Sequence, residues 1–209
     1  MKIQRYETGI VSLPREEGPL SGGMGSKAEF ITIKIITDDG IEGIGYSGFA
    51  SSVMVKALKE TVDALLEQIL GEDPRRVEHI NIYLKNLAGG GAPAGLVTRG
   101  VSGIDVALWD IKGKAASEPL HRLLGGFRDT VPTYASGYLW RNFDLSRLEN
   151  TSKELVAQGF KAMKFRMGAE DSAQKEIARM ETMRNSVGPD ITVMLDINQG
   201  WDVNTAISI

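Results

Sequence analysis

The chain has 209 residues, 42% of them hydrophobic and 24% charged, with a formal net charge of −3. Those totals describe an ordinary globular protein, long enough for one or two domains with a sizeable core, and they leave no basic footprint for nucleic acid. Cysteine is absent, which removes disulfides, thiolate nucleophiles and cysteine zinc sites together and fits a reducing, cytoplasmic compartment.

The first residues, MKIQRYETGI, lack the apolar core of a secretion signal, and no stretch approaches about 18 apolar residues, so neither a signal nor a membrane span is expected. Lysines and arginines are scattered, without the run that an anionic membrane surface would call for. Residues 2–13 read as a strand leading into the loop PREEGPLSGGMGSK. Its glycines do not form a phosphate cradle, because the order is Gly-Ser-Lys and no helix follows, so a mobile loop is expected. AEFITIKIITDDGIEGIGYSGF then reads as two strands around an Asp-Asp-Gly turn, a hairpin signal.

From Ser51 the period becomes helical. Val55, Leu58, Val62, Leu65, Leu66 and Ile69 recur on one stripe, with Ser51 or Ser52 as the N-cap and Gly71 as the stop. DPRRVEHINIYLKNLA starts a second helix with Pro74 in its first turn. TRGVSGIDVALWDIKGKAA gives a third, with Val101, Ile104, Leu108 and Ile111 on one face. Strands first and helices afterwards indicate an α+β domain. Past HRLLGGFRDT the pattern alternates: 131–140 strand, 145–158 helix, 161–167 strand, 172–186 helix, 191–198 strand. That alternation implies parallel strands in an α/β domain. The boundary falls near Gly125–Thr130, giving domains over 1–127 and 128–209.

Two strands carry charge where a covered parallel sheet should be apolar. In KAMKFRM, Lys164 and Arg166 share one face while Met163, Phe165 and Met167 share the other. In ITVMLDINQGW, Ile191, Val193, Leu195 and Ile197 should be buried, which puts Asp196 and Asn198 together on the opposite face. If the strands are parallel neighbours, two cations and a carboxylate converge near their C-terminal ends, where α/β sheets and barrels build sites. The competing reading is a solvated ion pair worth roughly 0–1 kcal/mol. It loses ground because inward cations without anionic partners are costly. Both histidines, His79 and His121, lie in helix-like stretches and are expected to be structural or exposed. No Ser/His/Asp triad can be assembled.

Together, GFKAMKFRMG, VMLDINQGW and RGVSGIDVALWDIKGKAASEPLHRLLGG resemble the mandelate racemase/muconate-lactonizing branch of the enolase superfamily. The resemblance implies an α+β capping domain over 1–127 followed by the first βα units of a TIM-type (β/α) barrel over 128–209. It places the family's Lys-x-Lys-type motif on Lys164 and Arg166, its first Mg²⁺-ligating carboxylate on Asp196, and a substrate-side Asn on Asn198. Capping loops at about 15–27 and 47–54 would close over the substrate and help select it. The implied reaction removes the proton alpha to a carboxylate through an enediolate stabilised by Mg²⁺, with Lys164 as a cation against the substrate carboxylate.

Arg166 departs from the family's usual lysine. Arginine holds its proton, so an electrostatic or substrate-orienting role is expected in place of general base. The chain also ends after the third barrel strand, and the remaining metal carboxylates and opposite-face acid/base are expected beyond Ile209. The reading is a Mg²⁺-dependent dehydratase acting on a small carboxylate substrate, a sugar acid, as a homo-oligomer. A racemase, epimerase or cycloisomerase on the same fold is one alternative, and a non-catalytic fragment or binding protein is another.

Overall fold

The computed structural model describes residues 1–14, 27–48, 53–91 and 94–209. It contains two compact units, one built from Met1–Pro14 and Lys27–Asp129, the other including Thr130–Ile209.

The first unit opens with an antiparallel sheet of β1 (Ile3–Pro14), β2 (Lys27–Thr37) and β3 (Glu42–Ser47), in that order. On β2, Ile31, Ile33 and Ile35 are fully buried while Thr32 between them is exposed, the alternation of a half-covered strand. The Asp38–Gly40 turn joins β2 to β3, and Gly40 takes φ +85°, a conformation that favours glycine. Thr37 fixes the turn from within, its hydroxyl bonding both the N–H and the carbonyl of Ile41 at 2.9 and 3.0 Å.

Three longer helices follow, α1 (Val55–Glu67), α2 (Val77–Leu87) and α3 (Gly95–Ala116), then the short α4 (Leu120–Leu123); α1 and α3 lie on the sheet and α2 packs on α3. The apolar stripes expected for α1 and α3 form the core with the β2 isoleucines. Truncating one such Leu or Ile to Ala would cost about 2–5 kcal/mol. Helix α3 lies directly on β3, because a Cβ at Gly45 would fall 2.1 Å from the Gly103 carbonyl oxygen. Glycine there is a requirement of that approach.

The second helix begins later than its sequence suggests. Pro74 sits in a turn before it, where the Asp73 carboxylate accepts from the Arg75 N–H at 3.0 Å, and the helix starts at Val77. The serines expected to cap α1 lie outside the described residues, as do 15–26 of the glycine-rich loop and 49–52 of the second loop. His79 and His121 are both exposed.

The second unit alternates β4 (Ala135–Leu139), α5 (Leu145–Ala157), β5 (Ala162–Arg166), α6 (Ala173–Val187), β6 (Thr192–Asp196) and α7 (Val203–Ser208). Its strands are parallel in the order β4-β5-β6. Met163, Phe165, Leu148, Leu155 and Met183 form the core between strands and helices. One expectation fails on β6: Leu195 is 42% exposed. Among the described strands β6 pairs with β5 alone.

Candidate active site

β5 is the central strand of its sheet, and period-two alternation sends Met163 and Phe165 into the core at 0% and 1% exposure. Lys164 and Arg166 therefore take the other face. The parallel register sets Lys164 beside Met194 and Arg166 beside Asp196, so the condition for convergence is met. Lys164 Nζ lies 3.0 Å from Asp196 Oδ2, and Arg166 Nη1 lies 3.7 Å from the same oxygen.

Asn198 reaches this cluster by a different route from strand alternation. β6 ends at Asp196, and Asn198 and Gln199 adopt left-handed φ values of 46° and 64°, which asparagine tolerates better than most side chains. The Asn198 N–H then donates to Asp196 Oδ1 at 3.0 Å, a local Asx-type turn. Its carboxamide oxygen accepts from Arg166 Nη1 and, at 2.6 Å, from Arg141 Nη2. Arg141 was not foreseen from the sequence. It follows β4 directly, beside Trp140, whose ring lies 4.4 Å from the Arg166 guanidinium carbon.

The Asp196 carboxyl sits below its ordinary range. The hydrogen bond from Lys164 is the largest cause, opposed by partial burial and reinforced by the Asn198 N–H and the charges of Lys164 and Arg166. Asp196 is thus held as a carboxylate, a hard oxygen donor of the kind magnesium selects. Among the described residues no group of three or more histidine, aspartate or glutamate side chains is placed to share a metal. The described residues therefore fit magnesium as one carboxylate donor, not as a complete set.

Two buried charges on α6 hold the loops that frame the cluster. Glu176, 2% exposed, accepts from the Gly168 and Glu170 N–H groups at 2.9 and 3.0 Å in the loop after β5. Arg179, also 2% exposed, donates to the Phe143 and Trp140 carbonyls after β4, the latter at 3.1 Å, and pairs with Glu170 at 3.3 Å. Sequence reasoning missed both. The available signal was that they occupy the stripe of α6 that Met183 continues.

The chain is similar to proteins of a known family. Residues 6–125 match the model "Mandelate racemase / muconate lactonizing enzyme, N-terminal domain", and residues 147–209 match "Enolase C-terminal domain-like". An arabinonate dehydratase of Saccharolobus solfataricus is 33% identical over 188 residues, 87% of this chain and 48% of the relative. A 3,6-anhydro-alpha-L-galactonate cycloisomerase of Streptomyces coelicolor is 31% identical over 98% of this chain and 57% of its own. The chain thus spans about half the length of these curated relatives. A racemase from Streptomyces coelicolor A3(2), crystallised with magnesium, superposes with a TM-score of 0.89 at 29% identity, covering 99% of this chain and 58% of that one. Other relatives include racemases and epimerases, and further structural neighbours also hold magnesium. No described helix is long and apolar enough to cross a membrane.

Proposed function

Since this chain belongs to the mandelate racemase/muconate lactonizing enzyme family of the enolase superfamily, we propose that the complete protein removes the proton alpha to a carboxylate in a Mg²⁺-dependent reaction whose outcome is dehydration of a sugar acid. The observation that carries this reading is the Lys164–Asp196 pair, flanked by Arg166, at the C-terminal ends of two parallel strands. In this reading Thr130–Ile209 is part of a (β/α) barrel and the first unit caps it.

The roles follow from the chemistry of each side chain. Removing the alpha proton leaves an enediolate with two negative oxygens; its electron pair forms the new double bond as the beta C–O bond breaks, the hydroxyl leaves as water with a proton from a general acid, and the resulting enol tautomerises to an alpha-keto acid. The chemistry that magnesium supplies when bound is positive charge against those oxygens. Asp196 contributes one of its oxygen ligands. Lys164 places an ammonium against the substrate carboxylate and favours the state in which negative charge has grown. Arg166 is fixed as a cation, since guanidinium does not give up its proton, and it orients substrate. Asn198 lies on the substrate side, able to bond a hydroxyl.

Cycloisomerisation is the second reading, supported by a cycloisomerase among the relatives whose matches span nearly the whole chain, because one enediolate can partition several ways. A panel of mono- and diacid sugars with Mg²⁺ distinguishes them. Alpha-keto acid formation is expected. Absence of both alpha-keto product and alpha-proton exchange across the panel would overturn the proposal.

A further inference from the structure

A continuous set of contacts runs from α6 to the charged face of β5. Arg179 stands on α6 at 2% exposure, and a cation buried so deeply needs partners. It finds them at the turn after β4, where the Trp140 carbonyl accepts from Nη2 at 3.1 Å and the Phe143 carbonyl accepts from Nη1. The Phe143 N–H closes the same turn, donating to the Trp140 carbonyl at 3.1 Å. Glu170, in the loop after β5, pairs with Arg179 Nη1 at 3.3 Å, while its own N–H is bound by Glu176 one helical turn earlier.

Trp140 is held from its other end as well. Its indole N–H donates to the Gly137 carbonyl at 2.8 Å, so backbone and ring are both anchored. That ring lies 4.4 Å from the Arg166 guanidinium carbon, within cation–π distance. Arg166 has a long side chain that costs conformational entropy to fix. Its polar contacts among the described residues are Asn198 Oδ1 and, at 3.7 Å, the Asp196 carboxylate. An anchored flat ring supplies the surface along which a planar guanidinium is aimed.

We propose that Arg179 is a positioning residue for the site: acting through the carbonyl and the ring of Trp140, it sets where the Arg166 guanidinium meets substrate. The relay rests on these contacts, all within one compact unit, and its consequence for binding rests on the proposed function. An Arg179 that only satisfied carbonyls would lower stability when lost and leave the stack of Arg166 on Trp140 as it is. An Arg179 that acts through Trp140 must show effects that overlap with those of changing Trp140 itself.

Two measurements on the complete protein test this. In the first, without substrate, carbon-13-labelled arginine reports the ring-current displacement of the Arg166 side chain over Trp140, assigned by its disappearance in Trp140→Leu. Arg179→Lys keeps the charge but loses the fork that spans two carbonyls, and should remove at least about half of that displacement. In the second, alpha-deuterium incorporation into the panel's acid sugars with Mg²⁺ gives kcat and KM for the fastest of them. Arg179→Lys and Trp140→Leu should each raise KM about tenfold, the scale of one partly desolvated cation–π contact, with kcat within about threefold. Combined, they should raise KM no more than about twofold beyond either alone. A displacement that Arg179→Lys leaves intact, or KM increases that multiply in the double variant, would overturn the relay. So would an unchanged KM in Trp140→Leu, a test that stands even where Arg179→Lys fails to fold. Loss of the displacement in Arg179→Lys, with no deuterium entering any acid of the panel in any variant or in the unaltered protein, would support the relay and sink the reaction.

Discussion

Among the described residues, two cross-strand ion pairs join a lysine to a carboxylate, and the contrast between them shows what separates a site from a surface. On the antiparallel sheet, Lys34 Nζ lies 3.3 Å from Glu42 Oε2, with the side chains 37% and 47% exposed. On the parallel sheet, Lys164 Nζ lies 3.0 Å from Asp196 Oδ2, with the side chains 20% and 25% exposed. The contacts are alike. Their surroundings differ: Lys34 also stands opposite Glu7 on β1, which pairs with Arg5, so each carboxylate of that open face has its own cation. Asp196 is shared by two cations, and a third reaches the same cluster through Asn198. Lesser exposure at a strand end, beside loops tied down by Glu176 and Arg179, is the distinguishing feature.

The comparison can be broken from its strongest side first. In the complete protein, Asp196→Ala is expected to remove Mg²⁺-dependent turnover, a fall beyond about 10³-fold, while the fold persists. Steady-state rates across a Mg²⁺ titration check this, and unchanged rate with unchanged metal affinity would dismiss the ligand assignment. Lys164→Ala should lower kcat by about 10²-fold or more. A rise in KM alone would reduce Lys164 to substrate binding.

Lys164→Ala also has a readout that needs no substrate. Asp196 titrates below its ordinary value near 3.8, chiefly because Lys164 donates to it. The stability this contributes is present above the unfolded value and is lost as pH falls through the lowered one. Removing Lys164 should therefore move the Asp196 carboxyl resonance midpoint upward in a carbon-13 titration, and an unmoved midpoint would show that the pair does not hold the carboxylate.

Arg166→Lys should leave activity within about tenfold, reduced by the loss of fork geometry and of stacking on Trp140. New alpha-deuterium incorporation into recovered substrate, beyond that of the unaltered protein, would instead make this position a proton-transfer site. The smallest effect belongs to the other pair. Lys34→Ala should change unfolding free energy by no more than about 1 kcal/mol in a denaturant titration, and a larger loss would erase the contrast between the two faces.

What could be read from the sequence follows from the range of each interaction. Ile31, Ile33 and Ile35, the α3 stripe and the shared face of Lys164 and Arg166 were legible because alternation and helical periodicity are local. The Asp-Asp-Gly turn was legible because its glycine needs a positive φ. Arg141 was not, because its partner lies 57 residues away and LWRN carries no period. Glu176 and Arg179 went unremarked within the expected 172–186 helix; they are buried because loop amides and carbonyls after β5 and β4 require partners inside the unit. Leu195 misled in the opposite direction: alternation assigns it a buried face, but burial also needs a neighbouring element to cover it. Asn198 was placed beside Asp196 by strand alternation, whereas a left-handed turn brings it there.

In the proposed function, the charged face of β5 and β6 takes part in Mg²⁺-dependent removal of an alpha proton. Incubating the complete protein with galactarate in D₂O and following the alpha position by NMR tests it most directly. Mg²⁺-dependent loss of the alpha-proton signal, through exchange or dehydration, that disappears both with EDTA and in Asp196→Ala is the predicted result. Loss of that signal at the same rate without metal, or in Asp196→Ala, would contradict it.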